Sequence, residues 1–200
     1  MLDTRFYSLC VSRATILLIC LAAAASYNPS DALQFVYLSA AAYCDNSSLL
    51  SWTCSACQQV NVEPGSVRVH YHATEDVRGF TAKLSNENAA IVSFRGTSNI
   101  ENWIEDIKAA KHVPYPRQGC SGCNVADGFS QAYDLIRDSV LSAVQNLGFG
   151  PGSTVYVTGH SLGAAMAGLC AFDMQALGYS VSGYSFGQPR DGDKAYSQTY

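Results

Sequence analysis

Five residues in the second half of the chain have the spacing of a nucleophile site: Gly159-His160-Ser161-Leu162-Gly163. A serine hydroxyl flanked by glycines at minus two and plus two is suited to acyl transfer, in which the oxygen attacks a carbonyl and forms a covalent intermediate. The pattern alone arises by chance about 0.07 times in a chain of this length, so its setting carries the weight. Before it runs Thr154-Val155-Tyr156-Val157-Thr158, which reads as a buried strand, and after it Ala164-Ala165-Met166-Ala167, which reads as a helix of small residues. A strand, sharp turn and helix are what such a serine requires. The glycines satisfy a second demand, since residues two before and two after the serine crowd the neighbouring strand and helix. The alternative is a tight strand-to-helix turn in which serine has no role. His160 is adjacent to Ser161 and points away on such a turn, so it reads as a packing residue or supporting donor rather than the base.

Acyl transfer also needs donors aimed at the developing oxyanion. An apolar run, Ala89 to Phe94, ends in Arg95-Gly96-Thr97-Ser98-Asn99, and loops at the C-terminal ends of strands are where α/β sheets place binding groups. Thr97 offers a backbone N–H and a hydroxyl there; the residues alone fit a plain capped turn equally well. Ile100, Trp103, Ile104 and Ile107 then share one helical face, with acids opposite. This is either a surface helix docked on the core or a lid that lays its apolar face on a lipid surface.

The elements that must position these groups follow from periodicity. Asp31 to Tyr43 reads as a helix capped by Asp31 and packed through Leu33, Val36, Tyr37, Ala40 and Ala41. Val67–His72, Gly79–Leu84 and Ala89–Phe94 read as strands, with turns at 74–76 and 86–88. His70 and His72 share a strand face and read as edge or surface residues, since no further metal ligand is near. Asp127 to Leu147 is a long amphipathic helix stopped by Gly148, and Val181 to Phe186 is a last strand. Asn46-Ser47-Ser48 is a glycosylation sequon in an expected loop.

Composition excludes several classes. The chain has 200 residues, 48% hydrophobic and 14% charged, which is ordinary for a folded domain. Net charge is −4 with no basic cluster, which argues against nucleic acid. Arg5 and Arg13, the apolar run Ile16–Leu21 and the alanines to Ala25 read as a signal peptide over residues 1–25, with the domain over 26–200. Secretion bears on the cysteines. Of eight, Cys10 and Cys20 fall in the leader. Cys54-Ser-Ala-Cys57 and Cys120-Ser-Gly-Cys123 read as two short-loop disulfides, with zinc the alternative. Cys170 reads as a buried thiol, and Cys44 has no evident partner.

Taken together, Ser39-Ala-Ala-Ala-Tyr43-Cys44, Ser93-Phe-Arg-Gly-Thr97-Ser-Asn-Ile-Glu-Asn-Trp103-Ile, Cys120-Ser-Gly-Cys123 with Asp127-Gly-Phe129, Thr158-Gly-His-Ser161-Leu-Gly and Phe186-Gly-Gln-Pro189-Arg190 resemble the secreted class 3 lipases of the fungal type. The resemblance implies an α/β-hydrolase-like fold with a mixed, mostly parallel sheet flanked by helices. It implies Ser161 as nucleophile, an oxyanion hole from Thr97 and the Leu162 backbone N–H, and a lid bearing Ile100, Trp103 and Ile104. It supports a Cys120–Cys123 bridge and one at Cys54 and Cys57. Its activity is ester hydrolysis of acylglycerols at a lipid–water interface, outside the cell, with no cofactor, metal, nucleic acid or obligate protein partner implied.

One departure stands out. The family order is serine, then acid, then histidine, but His70, His72, His112 and His160 all precede Ser161. Asp173, Asp191 and Asp193 come too early for the family's aspartate. Cys44, whose counterpart pairs with a late cysteine, has none here. The expectation is a domain lacking its last part, nearly inactive as it stands, with Val181–Phe186 an exposed apolar sheet edge. The competing readings are a non-catalytic lipid-surface-binding protein and a feruloyl-type esterase of soluble substrates.

Overall fold

The computed structural model of the chain describes residues 28–97, 111–115, 117 and 119–199. The expected leader over 1–25 and the segment with Ile100, Trp103 and Ile104 lie outside the described residues. The chain divides between Ala32 and Leu33, and the sheet and elbow belong to the part from Leu33 onward.

In chain order the strands are β1 (Arg68–His72), β2 (Val77–Lys83), β3 (Ala89–Phe94), β4 (His112–Pro114), β5 (Asn124–Ala126), β6 (Thr154–His160) and β7 (Ser180–Phe186). The helices are α1 (Pro29–Ala41), α2 (Asn46–Leu50), α3 (Asp127–Asn146), α4 (Leu162–Ala176) and α5 (Lys194–Thr199). The main sheet has the order β1-β2-β3-β6-β7. β2 is antiparallel to both its neighbours, whereas β3, β6 and β7 pair in parallel. Every strand except β2 therefore runs the same way, giving the mixed, mostly parallel sheet that the sequence led us to expect. β4 and β5 form a separate antiparallel pair.

All six residues of β3 are buried, because both its faces are covered, which is why it reads as one apolar run. Ala90, Val92 and Phe94 pack in a core with Phe129, Tyr133 and Ile136 of α3 and with Met166 and Leu169 of α4. Ile91, on the opposite face, packs with Phe35, Leu38 and Ala41 of α1 and with Phe80 of β2. α3 and α4 are also pinned to each other. Buried Asp173 accepts from Arg137 Nε at 2.5 Å and Nη2 at 3.2 Å, and from the Tyr133 hydroxyl at 3.2 Å. An acid this deep is tolerated only when its oxygens are met in this way.

Three expectations are corrected. α1 begins at Pro29, so Asp31 lies within the first turn, and Asn28 Oδ1 accepts the Ser30 N–H instead. Its buried face carries Phe35, Leu38 and, as expected, Ala41, whereas Leu33, Val36 and Ala40 are exposed; two apolar stripes fit helical spacing, and packing decides between them. Asn46 opens α2 rather than lying in a loop. Asp45 caps that helix by accepting from Ser47 and Ser48 N–H at 3.0 Å each, and the Ser47 and Ser48 hydroxyls that also donate to it, helped by those amides, hold its carboxyl well below the usual range.

The third correction is His70, which is buried rather than at the surface. α3 covers β1, and the imidazole lies between Ser139 Oγ, 2.7 Å from Nδ1, and Thr81 Oγ1, 2.8 Å from Nε2. Burial lowers its pKa to about 4. The folded chain thus resists a proton that the unfolded chain accepts near pH 6.5. Stability is full above that pH and falls as pH drops toward 4, by up to about 3 kcal/mol from this group. Urea midpoints measured from pH 7 to pH 4 should show this slope, and His70→Gln should remove it; an equal slope in both proteins would contradict the assignment.

Candidate active site

β6 ends at His160 and α4 starts at Leu162, so Ser161 alone makes the turn. Its backbone sits at φ 58°, ψ −125°, a conformation that costs a non-glycine residue roughly 1–3 kcal/mol. The surroundings leave no easier path. Ser161 N–H donates to Phe186 O at 3.0 Å, and its own carbonyl accepts from Ala164 N–H at 2.9 Å, opening α4. A Cβ on Gly159 would run into the backbone of Gly163, and a Cβ on Gly163 into the Phe94 carbonyl at the end of β3. The two glycines are thus required for different reasons: one lets the helix fold back on its strand, the other lets it press on the next strand.

The loop after β3 meets the elbow directly. A Cβ on Gly96 would lie 2.6 Å from His160 O, 3.2 Å from Ser161 Cβ and 2.5 Å from the Tyr43 hydroxyl. Thr97 follows, half-buried. Leu162 opens α4, and the first-turn N–H groups of a helix have no partner within it, so its amide is a donor beside Ser161. Ser161, Thr97 and Leu162 are therefore gathered at the C-terminal ends of adjacent parallel strands β3 and β6. Ser161 itself is 5% exposed.

α1 is fastened over this region by hydroxyls. Ser93 Oγ donates to Leu38 O at 3.0 Å. Thr158 Oγ1 donates to Tyr184 O at 2.7 Å, so the 2.7 Å bond between Ser39 and Thr158 must use the serine's proton. Beyond α1, the Tyr43 hydroxyl lies 3.1 Å from the Gly96 amide and 2.9 Å from His160 Nδ1. His160 therefore faces Tyr43, as a residue pointing away from its neighbouring serine should. Sequence reasoning gave Tyr43 and Gly96 no role, because contacts between residues this far apart in the chain leave no local pattern. An apolar groove of about 400 Å³ opens here, lined by Val36, Ser39, Ala40, Tyr43, His160 and Phe186.

Cys54–Cys57 and Cys120–Cys123 are disulfides, and Cys44 and Cys170 are free. Burial pushes the Cys170 thiol up to about 12, which leaves it inert. Among the described residues no histidine hydrogen-bonds Ser161, since His70 and His160 are engaged elsewhere. The later acids are also committed: Asp173 to Arg137, Asp191 to Gln188 at 2.8 Å and Asp193 to Asn124 at 2.8 Å. β7 is the last strand of the described sheet. It exposes Ser180, Ser182, Gly183 and Ser185, so the edge is more polar than expected.

Residues 91–200 match the family described as lipase (class 3). The chain is 31% identical over 152 residues to secreted mono- and diacylglycerol lipase A of Penicillium cyclopium, covering 73% of this chain and 49% of that protein. It is 32% identical over 182 residues to a lipase of Rhizomucor miehei, covering 88% and 49%. Among solved structures it resembles a triacylglycerol lipase whose catalytic centre is a serine protease triad, with a TM-score of 0.70 and 28% identity over 86% of this chain and 67% of that one. The chain spans about half the length of the curated relatives it matches.

The elbow sterics can be tested directly. Gly163→Ala should cost at least about 3 kcal/mol by urea denaturation, because backbone rather than a flexible side chain blocks the new methyl. Gly128→Ala, with nothing within 4 Å, should leave stability unchanged or raise it by about 0.5–1 kcal/mol. Equal effects would mean that the packing at the elbow is not what restricts position 163.

Proposed function

Because this chain belongs to the class 3 lipases, we propose that it carries the nucleophile and oxyanion groups of a secreted serine hydrolase acting on the ester bonds of acylglycerols. The observation that carries the reading is the strained Ser161 at the strand-to-helix turn, with Gly96, the residue before Thr97, pressed against it. Ser161 Oγ attacks the ester carbonyl, and the oxygen that gains charge is met by the Leu162 amide and by Thr97 through its amide and hydroxyl. Such donors act without reorganising, which is what makes them effective. The alcohol leaves, and water then hydrolyses the acyl-enzyme.

The serine needs a base, and in this fold the base and its orienting acid follow the serine in sequence. In the structurally similar triacylglycerol lipase the centre is a serine protease triad. Among the described residues no histidine or later acid hydrogen-bonds Ser161, so the 200 residues on their own should retain only the residual activity of an oxyanion site without a base. The near burial of Ser161 fits a site that must be uncovered before use. The sequence from Ile100 to Ile107, with Ile100, Trp103 and Ile104 on one face, supplies a lid of suitable chemistry. An extracellular location accords with the leader-like residues 1–25 and with a relative that is named as secreted.

Hydrolysis of emulsified diacylglycerol and of a soluble short-chain ester tests the proposal. The isolated chain should show weak Ser161-dependent turnover that added imidazole increases and Ser161→Ala abolishes. Liposome binding with no Ser161-dependent hydrolysis under any condition would instead favour a non-catalytic lipid-surface protein. In a form that turns over, Trp103→Ser should lower the rate on emulsion by about tenfold while changing the soluble-ester rate little. Equal losses on both substrates would remove the lid assignment.

A further inference from the structure

The residue before Thr97 and the residue before Ser161 are joined through a single oxygen. Tyr43 follows the end of α1, its N–H donating to Ala40 O at 3.0 Å. Its phenol reaches the Gly96 amide at 3.1 Å and His160 Nδ1 at 2.9 Å. The ring also lies against the imidazole, with centroids 6.1 Å apart. Gly96 has no Cβ, and one would meet the phenol oxygen at 2.5 Å. The close approach of loop, phenol and elbow thus depends on this glycine and this tyrosine together.

Donor chemistry fixes the direction of the link at Gly96. An amide N–H only donates, so the phenol oxygen accepts from Gly96, and its own proton is left for His160 Nδ1. A phenol that donates to Nδ1 requires that nitrogen to be bare, with the ring proton on Nε2, whereas an Nδ1–H would instead donate to the phenol's second lone pair. Burial raises the Tyr43 pKa, which keeps the phenol a donor.

We infer that Tyr43 is a positioning residue: its hydroxyl sets the spacing between the oxyanion loop and the nucleophile elbow and holds His160 in the Nε2–H tautomer. This deepens the ester-hydrolase reading and rests on it for its catalytic consequence, but the hydrogen-bond link stands independently. α1 can hold the phenol steady because Ser39 and Leu38 are bonded to β6 and β3. The tyrosine is thereby mounted on the same strands whose ends it bridges.

Tyr43→Phe keeps the ring and removes the oxygen. In protein labelled with ¹⁵N at histidine and glycine, wild-type His160 should show a bare Nδ1 and a protonated Nε2. In the variant that signature should shift, and the Gly96 amide should exchange about tenfold faster, with sheet amides unchanged as the check on folding. Where Ser161-dependent hydrolysis is measurable, kcat should fall by about 10- to 100-fold with KM within about twofold. A protonated Nδ1 in the wild type, or an unchanged Gly96 amide in the variant, overturns the link. An unchanged kcat in an active form overturns the positioning role. Absence of Ser161-dependent turnover in every form counts against the hydrolase reading alone, and the spectra then decide the link.

Discussion

A serine held at φ 58° persists only because everything around it would be worse off otherwise. The Gly163 backbone lies against the Phe94 carbonyl, Gly159 lies against Gly163, and the Ser161 amide is committed to Phe186. These three contacts involve β3, α4, β6 and β7, so the local strain is opposed by the packing of the whole sheet. A relaxed serine would lie along the strand, whereas this one stands between a helix N-terminus and the neighbouring loop. The remaining layers can be understood as what keeps that junction rigid. α3 and α4 are clamped through Asp173 and Arg137 on one face, and α1 is fastened by hydroxyls on the other.

The two faces are held by different forces. On the α3–α4 side the core is apolar, with one ion pair whose oxygens are fully met. On the α1 side, Ser39, Ser93 and Thr158 are buried among apolar residues and are tolerable only because each proton has an acceptor. Apolar packing is indifferent to small rotations, whereas a hydroxyl bond is directional. Tyr43, just past α1, touches both the loop after β3 and the elbow, so the directional face is the one beside Ser161.

What the sequence revealed and what it hid follow the same division. The elbow was legible because its demands are local: glycines at fixed offsets, a β-branched strand before and small residues after. The continuous run of β3 and the stripe of α3 were legible for similar reasons. The burial of His70 was not, because its partners Ser139 and Thr81 come from α3 and β2 and the strand pattern says nothing about what covers it. The buried face of α1 was misread apart from Ala41, because Leu33, Val36 and Ala40 fit helical spacing as well as Phe35 and Leu38 do, and only packing distinguishes them. Tyr43 was visible as part of a family pattern but without a role, since its partners are 53 and 117 positions away. The cysteine pairs were readable from spacing, with both bridges present.

The hydroxyl relay under α1 also ranks the ways in which this interior can change over evolutionary time. Thr158 accepts from Ser39 and donates to the Tyr184 carbonyl, so losing Thr158 first removes the acceptor of the buried Ser39 hydroxyl and one donor to that carbonyl. Losing Ser39 first leaves only one lone pair unfilled, a far milder defect. A lineage drifting toward an apolar interior at this point therefore has a preferred route, through the serine and then the threonine. The same two substitutions in reverse order pass through a less stable ancestor. The chain's history at these positions is thus constrained by the direction in which a single proton points.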